Sequence, residues 1–207
     1  IGDVGGLSVL DVGSGEGYLS RRLAEQGATV TAVELDPELA KAAHGLKPCC
    51  GEDVEILCCD ALDMPIDGNE FDVAFSNHSA NDIEDLPALM AEIARVLKPG
   101  GRLVMLGLHP CFYFQRSGLD ENDPEWPSLY FTVRPREQRF NVAGIESPAP
   151  VRAWYRPLED YFSALAGAGF AVTGLSEPHP TDDMLQDPWW AVNWHKPMFL
   201  LIEAQLR

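Results

Sequence analysis

Apolar residues in the first half of the chain fall into short runs separated by stretches of helical period. Ser8 to Val12 (SVLDV), Thr29 to Leu35 (TVTAVEL), Val54 to Cys59 (VEILCC), Phe71 to Ser76 (FDVAFS) and Arg102 to Leu108 (RLVMLGL) are β-branched or continuously apolar. Runs of that length predict buried strands. Between them, Gly17 to Gln26 places Tyr18, Leu19, Leu23 and Ala24 at helical spacing, and Gly27 ends the helix. Asp36-Pro37-Glu38 opens another helix with a cap and a first-turn proline. Asp85 to Leu97 is amphipathic and is closed by Lys98-Pro99-Gly100-Gly101. Alternation of this kind predicts an α/β fold, a doubly wound and mostly parallel sheet with helices on both faces.

The pattern breaks from His109 to Pro150, a segment rich in Pro, Gly, charge and aromatics. A stretch of ~40 residues without periodicity is too long for a plain connection. Residues 109–150 are therefore expected to be an insertion that covers the active site within a single domain, 1–207. Order resumes with a helix from Leu158 to Ala168 and strands at Phe170 to Ser176 and Met198 to Ala204.

Composition narrows the function. The formal charge is −17 over 207 residues, which opposes binding to a nucleic-acid backbone or an anionic membrane surface. No apolar run approaches the ~18 residues of a membrane span. The chain opens at Ile1 without a methionine or a signal-peptide pattern, and a cytoplasmic location is expected. Cys49, Cys50, Cys58, Cys59 and Cys111 are an odd set with adjacent pairs. Neither a disulfide framework nor a zinc site has that spacing, so they read as small buried residues and no metal is expected. Tyr18, Phe71 and Phe75 are the only aromatics before residue 110, whereas every Trp follows it. The first half thus reads as scaffold and the second as the part that recognises an apolar partner.

Chemistry-bearing residues sit at the predicted strand ends, where open α/β sheets bind ligands. Asp11-Val12-Gly13-Ser14-Gly15-Glu16-Gly17 follows the first strand, Glu34 closes the second and Asp60 the third. Glycines allow close backbone approach, and a carboxylate accepts from a ribose diol or an amino group. These residues describe a nucleoside site. A dinucleotide fingerprint would need glycine at position 18, which is Tyr18. Acidic Asp11 and Glu16 would repel phosphates but favour a sulfonium and an ammonium, which points to S-adenosylmethionine (SAM).

Val9 to Gly17 (VLDVGSGEG) resembles motif I of the class I SAM-dependent methyltransferases, small-molecule branch. Cys59-Asp60-Ala61-Leu62, Phe71-Asp72-Val73 and Arg95 to Gly101 match later motifs in order and spacing. Beyond them, His109-Pro110, Trp154 to Tyr161, Ala168-Gly169-Phe170 and Glu177-Pro178 resemble the same branch. The resemblance implies a Rossmann-like seven-stranded sheet of order 3-2-1-4-5-7-6, strand 7 antiparallel, with the insertion after strand 5. It implies SAM as cofactor and S-adenosylhomocysteine as product. The implied cofactor residues are Asp11, Gly13, Ser14, Gly15, Gly17, Tyr18, Glu34, Leu35, Asp60, Ala61, Leu62 and Asn77.

The expected reaction is methyl transfer to an O, N or C atom of a small acceptor. His78, after the fourth strand, and His109, after the fifth, are the candidate bases, with Tyr155 next; histidine suits neutral pH. Phe112, Tyr113, Trp154 and Tyr155 are expected to line a pocket for an aromatic or heteroaromatic specialised metabolite. A non-catalytic SAM-binding partner subunit and an NAD-binding oxidoreductase are the rival readings. The oligomeric state stays open, a homodimer included.

Overall fold

A computed structural model describes residues 2–45, 54–112, 130–139, 141–142, 145–146, 150–194 and 196–207. The strands β1 (Ser8–Val12), β2 (Thr29–Glu34), β3 (Glu55–Cys58), β4 (Phe71–Asn77), β5 (Leu97–Leu108), β10 (Phe170–Ser176) and β11 (Phe199–Leu206) form one seven-stranded sheet. Its order is β3-β2-β1-β4-β5-β11-β10. β1 pairs in parallel with β2 and β4, and β11 runs antiparallel to both β5 and β10. This is the expected order with its antiparallel seventh strand. The order reverses between β1 and β4, which opens a crevice at their carboxyl ends.

Strand alternation divides the core between the two faces of the sheet. Leu10 and Val12 of β1 point towards α4 (Leu86–Val96) and α5 (Leu158–Gly167), packing with Leu89, Met90, Ile93 and Leu165. Val9 points the other way, to Leu23, Val30, Val73 and Phe75 beside α1 (Tyr18–Ala24). Leu86, Leu89, Met90, Ile93 and Val96 make one buried stripe on α4. Asp85 caps that helix by accepting the Ala88 N–H at 2.9 Å. The helix that follows β2, α2 (Pro37–Gly45), buries only Ala40 and Ala43.

Four features depart from the sequence reading. β5 begins at Leu97, so Lys98-Pro99-Gly100-Gly101 lies inside the strand as an irregularity: Phe71 faces Leu97, whereas Val73 already faces Arg102. A one-turn helix, α3 (Ser79–Asp82), follows β4. Within residues 109–150, β6 (Arg134–Gln138) pairs antiparallel with β9 (Val151–Tyr155), which follows that segment, and a smaller pair joins β7 (Asn141–Val142) with β8 (Ile145–Glu146). Regular structure thus begins before Pro150. Two short helices, α6 (Asp182–Leu185) and α7 (Pro188–Asn193), precede β11. No helix among the described residues is long and apolar enough to cross a membrane.

Candidate active site

The turn after β1 is built on backbone that only glycine adopts freely. Gly13, Gly15 and Gly17 have φ of 66°, 57° and 75°. The Gly13 and Ser14 N–H groups donate to the Val33 carbonyl at 2.8 and 3.0 Å, which folds the turn back over β2. Gly13 also lies under α3, where an added Cβ would sit 2.3 Å from the Ser79 Cβ. Ser79 donates to the Val12 carbonyl at 2.5 Å, and its oxygen lies 2.9 Å from that of Ser76. Buried hydroxyls therefore lock the β4 turn onto the β1 turn. Nothing in the hydropathy pattern announces this lock, because Ser76 and Ser79 are simply small polar residues next to glycine.

Glu34 is nearly buried, with 9% exposure. One carboxylate oxygen accepts the Gly15 N–H at 2.7 Å and the other the Asp36 N–H at 2.9 Å. Two of about four acceptor positions on the carboxylate are thus occupied, and two remain for hydroxyls. Leu35 and Tyr18 are apolar yet 66% and 64% exposed on either side of this carboxylate's chain position. Ser14 Oγ is buried and has no hydrogen-bond partner. An orphaned hydroxyl, an open position beside Gly15 where an added Cβ meets nothing within 4 Å, and a pre-oriented carboxylate fit a nucleoside with hydroxyl and amino groups. The site thus suits the SAM implied by the resemblance.

Asp11 takes a different place from Glu34. It is 1% exposed and accepts the Ser20 hydroxyl at 2.6 Å and the Ser20 N–H, joining the turn to the start of α1. Burial pushes its carboxyl from 3.8 up to about 6, against those hydrogen bonds. Asp60 is exposed, and its carboxylate accepts the Leu62 N–H at 2.9 Å; Ala61 between them is buried. Asn77 is exposed at the end of β4. Asp82 on α3 is a site residue that sequence reading missed. Its residue surface is open, yet protein crowding around its carboxyl, helped by the charge of Glu34, raises it to about 6.

The three candidate bases separate. His78 sits in the left-handed region, φ 69°, with its N–H donating to the Leu106 carbonyl at 2.7 Å. Its half-buried ring meets Phe199 edge-on at 5.4 Å, and burial lowers its pKa, which keeps the imidazole neutral. His109 is 4% exposed and has no free nitrogen: Nδ1 accepts the Cys111 N–H at 3.2 Å and Nε2 lies 3.0 Å from Glu177. The Cys111 donor fixes the tautomer with the proton on Nε2. His109 as found ties the ends of β5 and β10 together and cannot take an acceptor's proton. Tyr155 is 4% exposed on β9, beside His109, Asn81 and Tyr161 at an internal junction.

Of the residues expected to line the acceptor pocket, Trp154 and Tyr155 border a small cavity with His109 and Tyr161. Phe112 packs on the His109 ring at 4.8 Å, and Tyr113 lies outside the described residues. Beside His78, Phe199 packs edge-on against the imidazole and Trp194 against Phe199, with Trp190 tilted on Trp194. Arg156, buried at 3%, donates to the carbonyls of Ala80, Trp154, Ile83 and Glu84, so it braces α3 rather than a carboxylate. A cavity of about 540 Å³ between α4 and α5, floored by Arg156 and rimmed by Glu84 and Asp160, shares no residue with the crevice. Cys58 is exposed rather than buried, 3.9 Å from the Leu35 carbonyl; Cys49 and Cys50 lie outside the described residues. Among the described residues no group of three or more His, Cys, Asp or Glu is arranged to hold a metal ion.

Comparison with known proteins agrees with this geometry. Residues 10–105 match the family described as "Methyltransferase domain". The chain is 38% identical over 109 residues to the ubiquinone biosynthesis O-methyltransferase of Xanthomonas oryzae pv. oryzae (strain PXO99A), covering 52% of this chain and 45% of that protein. The chain therefore spans less than half the length of that relative. A solved SAM-dependent methyltransferase from Mesorhizobium loti superposes with a TM-score of 0.72 at 25% identity, covering 99% of this chain and 93% of the other. A solved chain from Listeria monocytogenes shares the fold with a TM-score of 0.79 at 24% identity, covering 100% and 93%.

Proposed function

We propose that this chain, whose residues 10–105 match the family described as "Methyltransferase domain", is a class I SAM-dependent methyltransferase that transfers a methyl group to an O, N or C atom of a small, flat aromatic or heteroaromatic acceptor. The observation that carries this reading is Glu34, held at both oxygens by the Gly15 and Asp36 N–H groups with acceptor capacity to spare. When bound, SAM supplies an electrophilic sulfonium methyl group and leaves as S-adenosylhomocysteine.

The chain's own residues then have separable tasks. Glu34 accepts hydroxyls, the Gly13–Gly17 turn admits close approach, and Leu35 and Tyr18 offer apolar surface to a purine. Ser14 gains the partner its hydroxyl lacks. Asp11 holds the turn to α1 as a positioning residue. Because the methyl donor is already activated, orientation and exclusion of water account for most of the acceleration. For a hydroxyl acceptor, neutral His78 receives the proton as the new bond forms. His109 and Tyr155 are structural in this scheme. Residues 109–150 act as the insertion over the acceptor within a single domain, and the protein works in the cytoplasm in specialised metabolism. A net charge of −17 favours neutral or cationic acceptors over nucleic acids.

Calorimetry tests the reading. S-adenosylhomocysteine should bind and NAD should not. Glu34→Ala should weaken binding by ~1–3 kcal/mol, the worth of charge-assisted hydrogen bonds and of the Gly15 tether. NAD binding, or an unaltered affinity in the variant, would refute it. Binding without methyl transfer to any member of a panel of aromatic alcohols, amines and indoles would favour the partner-subunit alternative.

A further inference from the structure

Arg156 is a buried charge held by neutral groups. It follows β9 directly, and its guanidinium donates to the carbonyls of Ala80, Ile83 and Glu84, within and just after α3. It also donates to the Tyr161 hydroxyl on α5. That hydroxyl accepts from Asn81 Nδ2 at 3.0 Å, and Asn81 Oδ1 accepts the Leu108 N–H of β5 at 3.2 Å. Asn81 and Tyr161 are buried as well. The fit is close, for an added Cβ at Gly107 would sit 2.5 Å from Asn81 Oδ1. The end of β9, α5 and β5 thus meet on a single helical turn. Burying a charge and an amide is costly, and apolar side chains of like volume would stabilise the fold as well. What a planar guanidinium fork and an amide add is orientation.

The residue whose orientation is at stake is His78. It opens α3 at a φ of 69°, in backbone that a non-glycine residue adopts at a cost. Its N–H is bonded to the Leu106 carbonyl of β5, and its own carbonyl accepts the Asn81 N–H at 3.0 Å. Backbone of this kind persists only where the surroundings over-determine it. Ser79 ties the start of α3 to β1, which leaves the turn able to unwind from its other end unless something holds that end. Unwinding would relax φ and carry the imidazole away from Phe199, its edge-on neighbour. Resting on the methyltransferase reading above, we infer that Arg156, acting through Tyr161 and Asn81, is a positioning residue for His78. It touches neither cofactor nor acceptor in this scheme, and works by fixing the far end of α3.

The test is NMR on protein saturated with S-adenosylhomocysteine, reading the nuclear Overhauser effect between the imidazole and the Phe199 ring protons. His78→Gln assigns the imidazole signal. The wild type should show the effect. Arg156→Gln and Tyr161→Phe should each lose most of it while binding S-adenosylhomocysteine like the wild type. Arg95→Gln removes a comparable brace, on the carbonyls of Met64 and Ile66 outside α3, and should leave the effect intact. Tyr161→Phe removes a single oxygen and decides the matter should Arg156→Gln fail to fold. A full effect in folded Arg156→Gln or Tyr161→Phe, its absence from the wild type, or an equal loss in Arg95→Gln would overturn the inference. Failure of the wild type to bind S-adenosylhomocysteine would instead strike the methyltransferase reading.

Discussion

Asp11→Asn offers a direct reading of the electrostatic cost built into the cofactor turn. Asp11 is 1% exposed, and burial moves its carboxyl from 3.8 to about 6. At ~1.36 kcal/mol per pH unit, that difference corresponds to about 3 kcal/mol between the protonated and ionised folded protein. The sign follows from linkage. The folded state holds the proton more tightly than the unfolded chain, so the stabilising contribution is complete below pH 3.8 and is lost as pH rises through about 6. Asn cannot ionise, and it forfeits one of the two hydrogen bonds from Ser20, a pH-independent loss of ~1 kcal/mol. Urea unfolding of both proteins from pH 4 to pH 8 isolates the charge, because the other titrating groups cancel in the difference. Relative to wild type, Asp11→Asn should be slightly less stable at pH 4 and gain roughly 2–2.5 kcal/mol by pH 7, levelling off above. A stability difference that stays flat across that range would refute the buried-charge argument.

Two further perturbations separate stability from function. Gly13→Ala drives a Cβ to 2.3 Å from the Ser79 Cβ at a positive φ, so it should cost several kcal/mol and lower the thermal midpoint strongly, whereas Gly15→Ala meets nothing within 4 Å and should cost only ~1 kcal/mol while abolishing S-adenosylhomocysteine binding. Calorimetry and thermal melts on the pair check this. His78→Gly removes the imidazole and relieves a non-glycine residue at φ 69°; stability should change by less than ~1 kcal/mol while kcat with a hydroxyl acceptor falls ~10²–10⁴-fold. Because burial lowers the His78 pKa below the ordinary imidazole value of 6.5, the acidic limb of wild-type kcat/KM should be centred below pH 6.5; a limb centred above 6.5 would place the base elsewhere.

The scaffold was legible because burial on both faces leaves the strands few polar positions, so SVLDV, TVTAVE and FDVAFS stand out as short, largely apolar runs. The glycine turn was legible because few other residues accept its backbone. What stayed hidden depends on contacts rather than period. α3 is a single turn, too short to show a helical repeat, and its position rests on Ser79, Arg156 and Asn81 reaching other elements. β6 and β9 carry charge on exposed faces, with Arg152 and Glu137 paired at 2.9 Å across them, so alternation never appears. His109 illustrates the limit best. Its chain position after β5 matches that of a catalytic base, yet Cys111 and Glu177 take both nitrogens, and only the folded geometry reveals it.

The placement of acids around the crevice yields one more consequence, which concerns protons. Asp11 and Asp82 both titrate at about 6, and the charge of Glu34 contributes to raising each of them. Below that pH they are largely neutral, and a cation placed among the three carboxyls would favour ionisation and expel protons. SAM carries a sulfonium charge that S-adenosylhomocysteine lacks, while the two share every hydrogen-bonding group. At pH 6 the binding of SAM should therefore release more protons than the binding of S-adenosylhomocysteine, and at pH 8, with both acids already ionised, the two should release equally few. Calorimetric titrations in buffers of different ionisation enthalpy count those protons directly. Asp82→Asn should shrink the difference at pH 6 without disturbing the glycine turn, because Asp82 lies on α3 and Asp11 alone joins the turn to Ser20. Equal proton release at pH 6 would mean that neither acid senses the sulfonium, and that the acidic ring serves the fold rather than the choice between substrate and product.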